Sequence, residues 1–220
     1  MSKCIALLHN SQVIVDPVAN AFKRIYPEAD IINIIDESLL RDIKTKGKID
    51  YLGVRRVCRY ALCAEDLGAD GVLMTCSSLW EAVYAAKPMI KIPAFAINEP
   101  MAQEAVSIGG KIGVLGTLKS VLDPTAKLVL KKAKESDKAI QLNKALCDAA
   151  FEALISGDAQ KHDELLLTEI ENISVNVDVI LFAQGSMSRL LPEALKRVSI
   201  PVLECIDSGV KQVRNHFEPS

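Results

Sequence analysis

The sequence predicts an α/β protein built as two pseudo-symmetric parallel-sheet lobes from an internal duplication, with a cleft between them. Three observations lead there. Short apolar runs alternate with stretches of helical periodicity along all 220 residues. The runs are apolar at successive positions, as strands covered on both faces must be. Matching residues also recur at a fixed distance. Lys3 and Lys111, Asp70 and Asp178, and Pro93 and Pro201 are each 108 residues apart, a spacing that marks repeated units.

In order along the chain, KCIALL (3–8) reads as a strand, and Asp16-Pro17 as an N-cap followed by Pro at the first helical position. DIINII (30–35) is a second strand. Over 49–66, Val54, Val57, Cys58, Ala61 and Leu62 lie on one helical face. Residues 72–75 and 89–97 (MIKIPAFAI) supply two more strands. The pattern restarts with KIGVL (111–115) and a helix start at Asp123-Pro124, which stands 107 residues from Asp16-Pro17. Leu142, Leu146, Ala149, Ala150 and Ala153 give 142–154 helical spacing. DVILFA (178–183) and 200–203 are strands, and a helix over about 207–216 closes the chain. The charge run KKAKESDK (131–138) reads as a solvated helix face. The expected lobes are 1–98 with 207–220, and 99–206.

Composition narrows the function. Half the residues are hydrophobic, a quarter are charged, and the net charge is −2. No basic face is advertised, which argues against nucleic acid. No apolar run is long enough to span a bilayer, and the N-terminal run is too short for a secretory segment, so the sequence predicts a cytoplasmic protein with no membrane partner. The six cysteines form no CxxC pair and there are three histidines, so neither metal-ligand spacing nor a disulfide framework is expected. P-loop, GxGxxG and Ser-His-Asp patterns are absent.

The chemistry concentrates in GADGVLMTCSSLW (68–80). Cys76 follows a buried strand and precedes a helical segment, where open α/β sheets place ligands and where unpaired N–H groups favour anions and thiolates. Thr75, Ser77 and Ser78 add hydroxyl donors. The repeat sets Gln184 opposite Cys76, with Gly185 and Ser186 as a second donor set, and puts the two on facing walls of the cleft. Two such nests suit a carboxylate and a developing enolate-like charge. Asn10 and Ser11 follow the first strand, and Thr117 follows the matching one; each is a candidate ligand donor or a turn cap. His9 is an acid–base candidate with a structural alternative. Glu99 and Asp207, also 108 apart, read as acids at helix starts. Cys58, Cys63 and Cys147, on expected helices, and Cys4, in the first strand, read as core residues.

On LMTCSS, IGVLGT and VILFAQGSM, set in duplicated halves, the chain resembles the aspartate/glutamate/hydantoin racemase superfamily, which includes maleate isomerase and arylmalonate decarboxylase. The resemblance covers most of the length. It implies a cofactor-independent enzyme in which one cysteine per half flanks the α-carbon of a carboxylate substrate. Cys76 matches the first cysteine, with Thr75, Ser77, Ser78, Asn10 and Thr117 at carboxylate-binding or substrate-contact positions; Gln184 stands in place of the second. A carboxamide exchanges no proton as a thiol does, so two-base racemisation is in question. The expected activity is isomerisation at or next to the α-carbon of a small carboxylate or amino acid, with Cys76 as base or nucleophile. The alternatives are a one-cysteine decarboxylase or lyase and a non-catalytic carboxylate sensor; a redox-active thiol is a third class. The resemblance also implies a homodimer or higher homo-oligomer.

Overall fold

A computed structural model describes residues 2–219. The chain divides into two compact units, Met1–Pro100 with Ile206–Ser220, and Met101–Cys205.

The first unit holds the strands β1 (Cys4–His9), β2 (Asp30–Ile35), β3 (Gly71–Met74) and β4 (Ala94–Ala96). They form one parallel sheet in the order β2-β1-β3-β4. Its helices are α1 (Val15–Ile25), α2 (Glu37–Lys46), α3 (Tyr51–Asp66) and α4 (Trp80–Ala86); α5 (Glu99–Ile108) leads into the second unit. The second unit holds β5 (Lys111–Gly116), β6 (Gln141–Leu146), β7 (Val179–Phe182) and β8 (Val202–Leu203) in the order β6-β5-β7-β8, again all parallel. Its helices are α6 (Lys119–Glu135), α7 (Asp148–Ile155), α8 (Ala159–Ser174) and α9 (Leu191–Arg197), and α10 (Cys205–Phe217) returns the chain to the first unit.

The two central strand pairs carry the cores. Every residue of β3 and of β7 is buried, which is why these runs show no polar alternation; each large side chain so covered contributes roughly 1.5–3 kcal/mol. The edge strands β2 and β6 are half exposed. On α10, Gly209 passes so close to Ile97 that an added Cβ would lie 2.8 Å from the Ile97 carbonyl oxygen, so the return helix needs glycine there.

Strand register refines the repeat. Cys4 N–H donates to Asp70, and Lys111 N–H donates to Asp178. Ile5 pairs with Gly71, and Ile112 with Val179. The equivalent of Lys111 is therefore Cys4, not Lys3: the first strands are offset by 107 residues and β3/β7 by 108. The two Asp-Pro pairs, seemingly one residue out of step, are in register with their own strands.

Several expected elements differ in extent. Residues 141–146 form strand β6, and only Asp148–Ile155 is helical; hydrogen bonding to the edge of β5 overrides a weak helical pattern. Pro17 lies in the first turn of α1, and Pro124 lies inside α6, which starts at Lys119, so neither Asp-Pro pair opens its helix. Of residues 89–97 only Ala94–Ala96 is strand. The run 131–138 closes α6 and the turn after it, but Lys132 within it is buried beside Glu135. All six cysteines are free, and Cys63 is exposed rather than core.

Candidate functional site

In a sheet of order β2-β1-β3-β4, the connections after β1 and β3 leave in opposite directions, and ligands bind outside the carboxyl ends at that switch. His9-Asn10-Ser11 ends β1 and Thr75-Cys76-Ser77 follows β3. Extending the pairing of Leu8 with Met74 sets His9 beside Thr75 and Asn10 beside Cys76.

Asn10 Nδ2 donates to Cys76 Sγ at 2.9 Å. The backbone after Cys76 turns at once into a 3-10 segment, Ser77–Leu79, that runs into α4. Ser78, through its N–H and its hydroxyl, and Leu79, through its N–H, also favour a charged sulfur. Burial opposes them and wins. The residue keeps some surface, yet its sulfur is enclosed by protein, and desolvation pushes the thiol up from an ordinary 9.0 to about 11. The expectation that a helix start depresses this thiol is thus reversed: the donors are present, but burial outweighs them. Holding the thiolate at neutral pH costs about 5 kcal/mol.

The hydroxyls divide their work. Thr75 is buried, with Oγ1 2.9 Å from His9 Nδ1 and 3.1 Å from the Leu8 carbonyl; its hydroxyl serves the protein. His9 is buried too, with Nε2 2.9 Å from Asn33 Oδ1, and burial holds its ring below the ordinary 6.5. Ser11 caps the turn Gln12–Ile14, accepting from Val13 N–H. Ser77 and Ser78 are buried in the turn. Asn98, fully buried past β4, donates to the Ser77 carbonyl at 3.2 Å and keeps Oδ1 without a partner among the described residues. Trp80 follows the turn and meets Tyr84 edge to face, ring centroids 5.6 Å apart. Tyr84 in turn donates to Glu99, which Lys87 approaches at 3.6 Å.

The second unit repeats the switch with other chemistry. Gln184 Oε1 accepts from Thr117 N–H at 2.7 Å and from the Thr117 hydroxyl at 2.9 Å. A backbone N–H cannot accept, so the carboxamide is fixed with Oε1 inward and Nε2 as its free end. The end of Gln184 turned away from Thr117 therefore carries donors and no acceptor. With the strand offsets of 107 and 108, Asn10 corresponds to Thr117 and Cys76 to Gln184. The 3-10 segment Gly185–Leu190 follows. Ser186 is exposed, and Ser188 donates to buried Glu204 at 2.5 Å. Arg189 binds Asp163 of α8.

Asn98, Glu204 and the His9–Thr75 pairing escaped sequence reasoning. The repeat held a signal for Asn98 and Glu204, since each follows the last strand of its unit. Glu99 and Asp207 lie in the first turns of α5 and α10; Asp207 forms a two-pronged pair with Arg24 at 2.7 and 2.9 Å. Cys205 is buried at the start of α10. No group of three or more His, Cys, Asp and Glu among the described residues is arranged to hold a metal ion, and no helix among them is long and apolar enough to cross a membrane.

Comparison with known proteins follows the same lines. The sequence profile of the Asp/Glu/Hydantoin racemase family matches residues 18–213. No curated protein is significantly similar in sequence. Among solved structures, allantoin racemase from Klebsiella pneumoniae superposes with a TM-score of 0.72 at 15% identity, covering 98% of this chain and 88% of that one. Picrophilus torridus aspartate racemase gives 0.73 at 14%, over 98% and 94%. Glutamate racemase from Aquifex pyrophilus gives 0.63 at 22%, over 97% and 83%. At these identities the likeness is one of fold.

Proposed function

The chain belongs to the Asp/Glu/hydantoin racemase family, and from that premise we propose that it is a cofactor-independent isomerase acting at or next to the α-carbon of a small carboxylate or amino acid. The observation that carries this reading is the sulfur of Cys76 at the carboxyl end of β3, met by Asn10, Ser78 and Leu79. Donors converging on one sulfur serve a thiolate far better than a thiol.

Cys76 is the base. As thiolate it takes the α-proton, becoming a thiol, while the electron pair left on carbon delocalises into the adjoining carbonyl. The donors of Gln184, Gly185 and Ser186, with Ser77 and Ser78, are the groups proposed to hold carboxylate oxygens and this developing charge. Gln184 carries no proton that leaves at neutral pH, so return of a proton falls to the Cys76 thiol or to water. One-sided chemistry follows: proton exchange outpaces inversion of configuration.

The test is incubation in D₂O with aspartate, glutamate, allantoin and 5-substituted hydantoins, each as a single enantiomer, following loss of the α-proton by NMR and optical purity in parallel. Exchange abolished in Cys76→Ser supports the proposal; full turnover in that variant defeats it. A second reading, a carboxylate-binding protein without turnover, draws on the thiol's high pKa. It predicts a ligand-dependent rise in Tm with no exchange on any of these acids.

A further inference from the structure

The two units supply an internal comparison. Each ends its central strand pair with a lateral couple just before the couple that carries the chemistry. In the second unit this couple is Gly116 and Ala183, and a Cβ on Gly116 would rest 3.3 Å from the Ala183 Cβ. In the first unit the same places hold His9 and Thr75. The fold therefore builds this strand end without any polar side chain. Burying an imidazole and a hydroxyl there carries a desolvation cost that Gly and Ala avoid, and it occurs only in the half that bears the thiol.

The couple is also wired for two protonation states. In the neutral ring, Nε2–H donates to Asn33 Oδ1 and Nδ1 accepts from the Thr75 hydroxyl. When Nδ1 gains a proton it donates to Thr75 Oγ1, and the hydroxyl turns to the Leu8 carbonyl, already 3.1 Å away. Neither state leaves a donor unmet, and no heavy atom has to move. His9 and Thr75 adjoin in sequence the pair that makes the contact to sulfur, Asn10 and Cys76.

We propose that His9 is a positioning residue for Cys76, holding Thr75 in place and, when it takes up a proton, stabilising the Cys76 thiolate. The proposal rests on the reading of Cys76 as the reacting sulfur. Around His9 stand Asn33 from β2, Thr75 after β3, and Asp36, whose N–H donates to the His9 carbonyl at 2.9 Å. The Asp36 carboxylate is held by Ser38, Tyr60 and Arg56, which offsets its charge. Burial favours the neutral ring, so the proton arrives below the ordinary 6.5.

The test needs no substrate, so it succeeds or fails separately from the proposed activity. The rate at which a methanethiosulfonate reagent labels Cys76 is followed by peptide mass spectrometry from about pH 5 to about pH 9, the interval in which an imidazole titrates. Wild type is expected to give two parallel limbs of log rate against pH. The acidic limb should lie above the extension of the neutral one, by roughly tenfold for each pKa unit that the proton takes off the thiol. His9→Gln, which retains hydrogen-bonding atoms without titrating, should give a single straight limb. The double variant His9→Gly/Thr75→Ala, which copies the second unit's own couple, should do the same. A wild-type profile without the step overturns the proposal whether or not either variant folds. So does a step that persists in His9→Gln.

Discussion

Asn10 and Cys76 do in the first unit what Thr117 and Gln184 do in the second: a side chain after the first strand donates to the residue that follows the third. In one pair the amide reaches sulfur at 2.9 Å; in the other a hydroxyl and an N–H reach a carboxamide oxygen. One unit thus gathers donors on a sulfur, and the other fixes a carboxamide by its oxygen.

Removing the Asn10 donor should weaken the thiolate. Asn10→Ala is expected to slow Cys76 labelling at fixed pH by roughly tenfold, the effect of losing one hydrogen bond to a charged group. Asn10→Asp, which brings a negative charge to the sulfur, should slow it further. Labelling rates on variants with unchanged Tm check both.

Two substitutions separate the structural and chemical parts of Gln184. Gln184→Leu leaves Thr117 N–H without its acceptor and should cost about 1–3 kcal/mol in urea unfolding. Gln184→Glu keeps an acceptor for Thr117 but replaces the donating amide with a carboxylate. It should keep its stability and lose roughly 10²–10³ in turnover, as expected when one donor to a developing anion is removed.

Cys76 sets an alkaline limit on stability. Its folded-state pKa is raised to about 11 from 9.0. Between these values the unfolded chain has released the proton and the folded chain still holds it, so stability falls as pH rises. About 3 kcal/mol should be lost across the interval. Below pH 9 the group contributes no slope. Cys76→Ala should flatten this limb in urea titrations at high pH.

The acid limit has a different source. Burial alone would raise the Asp36 pKa, but hydrogen bonds from Ser38 and Tyr60 and the charge of Arg56 outweigh it and hold the carboxyl below 3.8. Stability from this group is present above that value and is lost as pH falls below it. Arg56 also binds Asp42 at 2.5 Å, so Arg56→Met takes a shared cation from two carboxylates, Asp36 keeping Ser38 and Tyr60. It should destabilise by about 1–3 kcal/mol at neutral pH, the order of losing hydrogen bonds to charged groups, and should move acid unfolding to higher pH.

Much of this was legible in the sequence. The runs KCIALL and VILFA are apolar at successive positions because both faces of their sheets are covered, and that pattern survives in one dimension. Strand β6 was not legible: QLNKAL carries few apolar residues and becomes a strand only because β5 offers a free edge. The places of Cys76 and Gln184 at strand ends followed from the repeat. The thiol's raised pKa did not, since the sequence advertises the donors around the sulfur but not how deeply it is buried. The His9–Thr75 couple was hidden for a related reason, because lateral register between strands 66 residues apart is not written in either strand alone.

The chain has one tryptophan, and it is Trp80, 5% exposed and packed on Tyr84 directly after the turn that carries the sulfur. Nature has in effect fitted this turn with its own lamp. Emission from this indole should change when an acid settles against the 76–79 turn, so candidate molecules can be screened by native fluorescence, with no label and before any turnover assay exists.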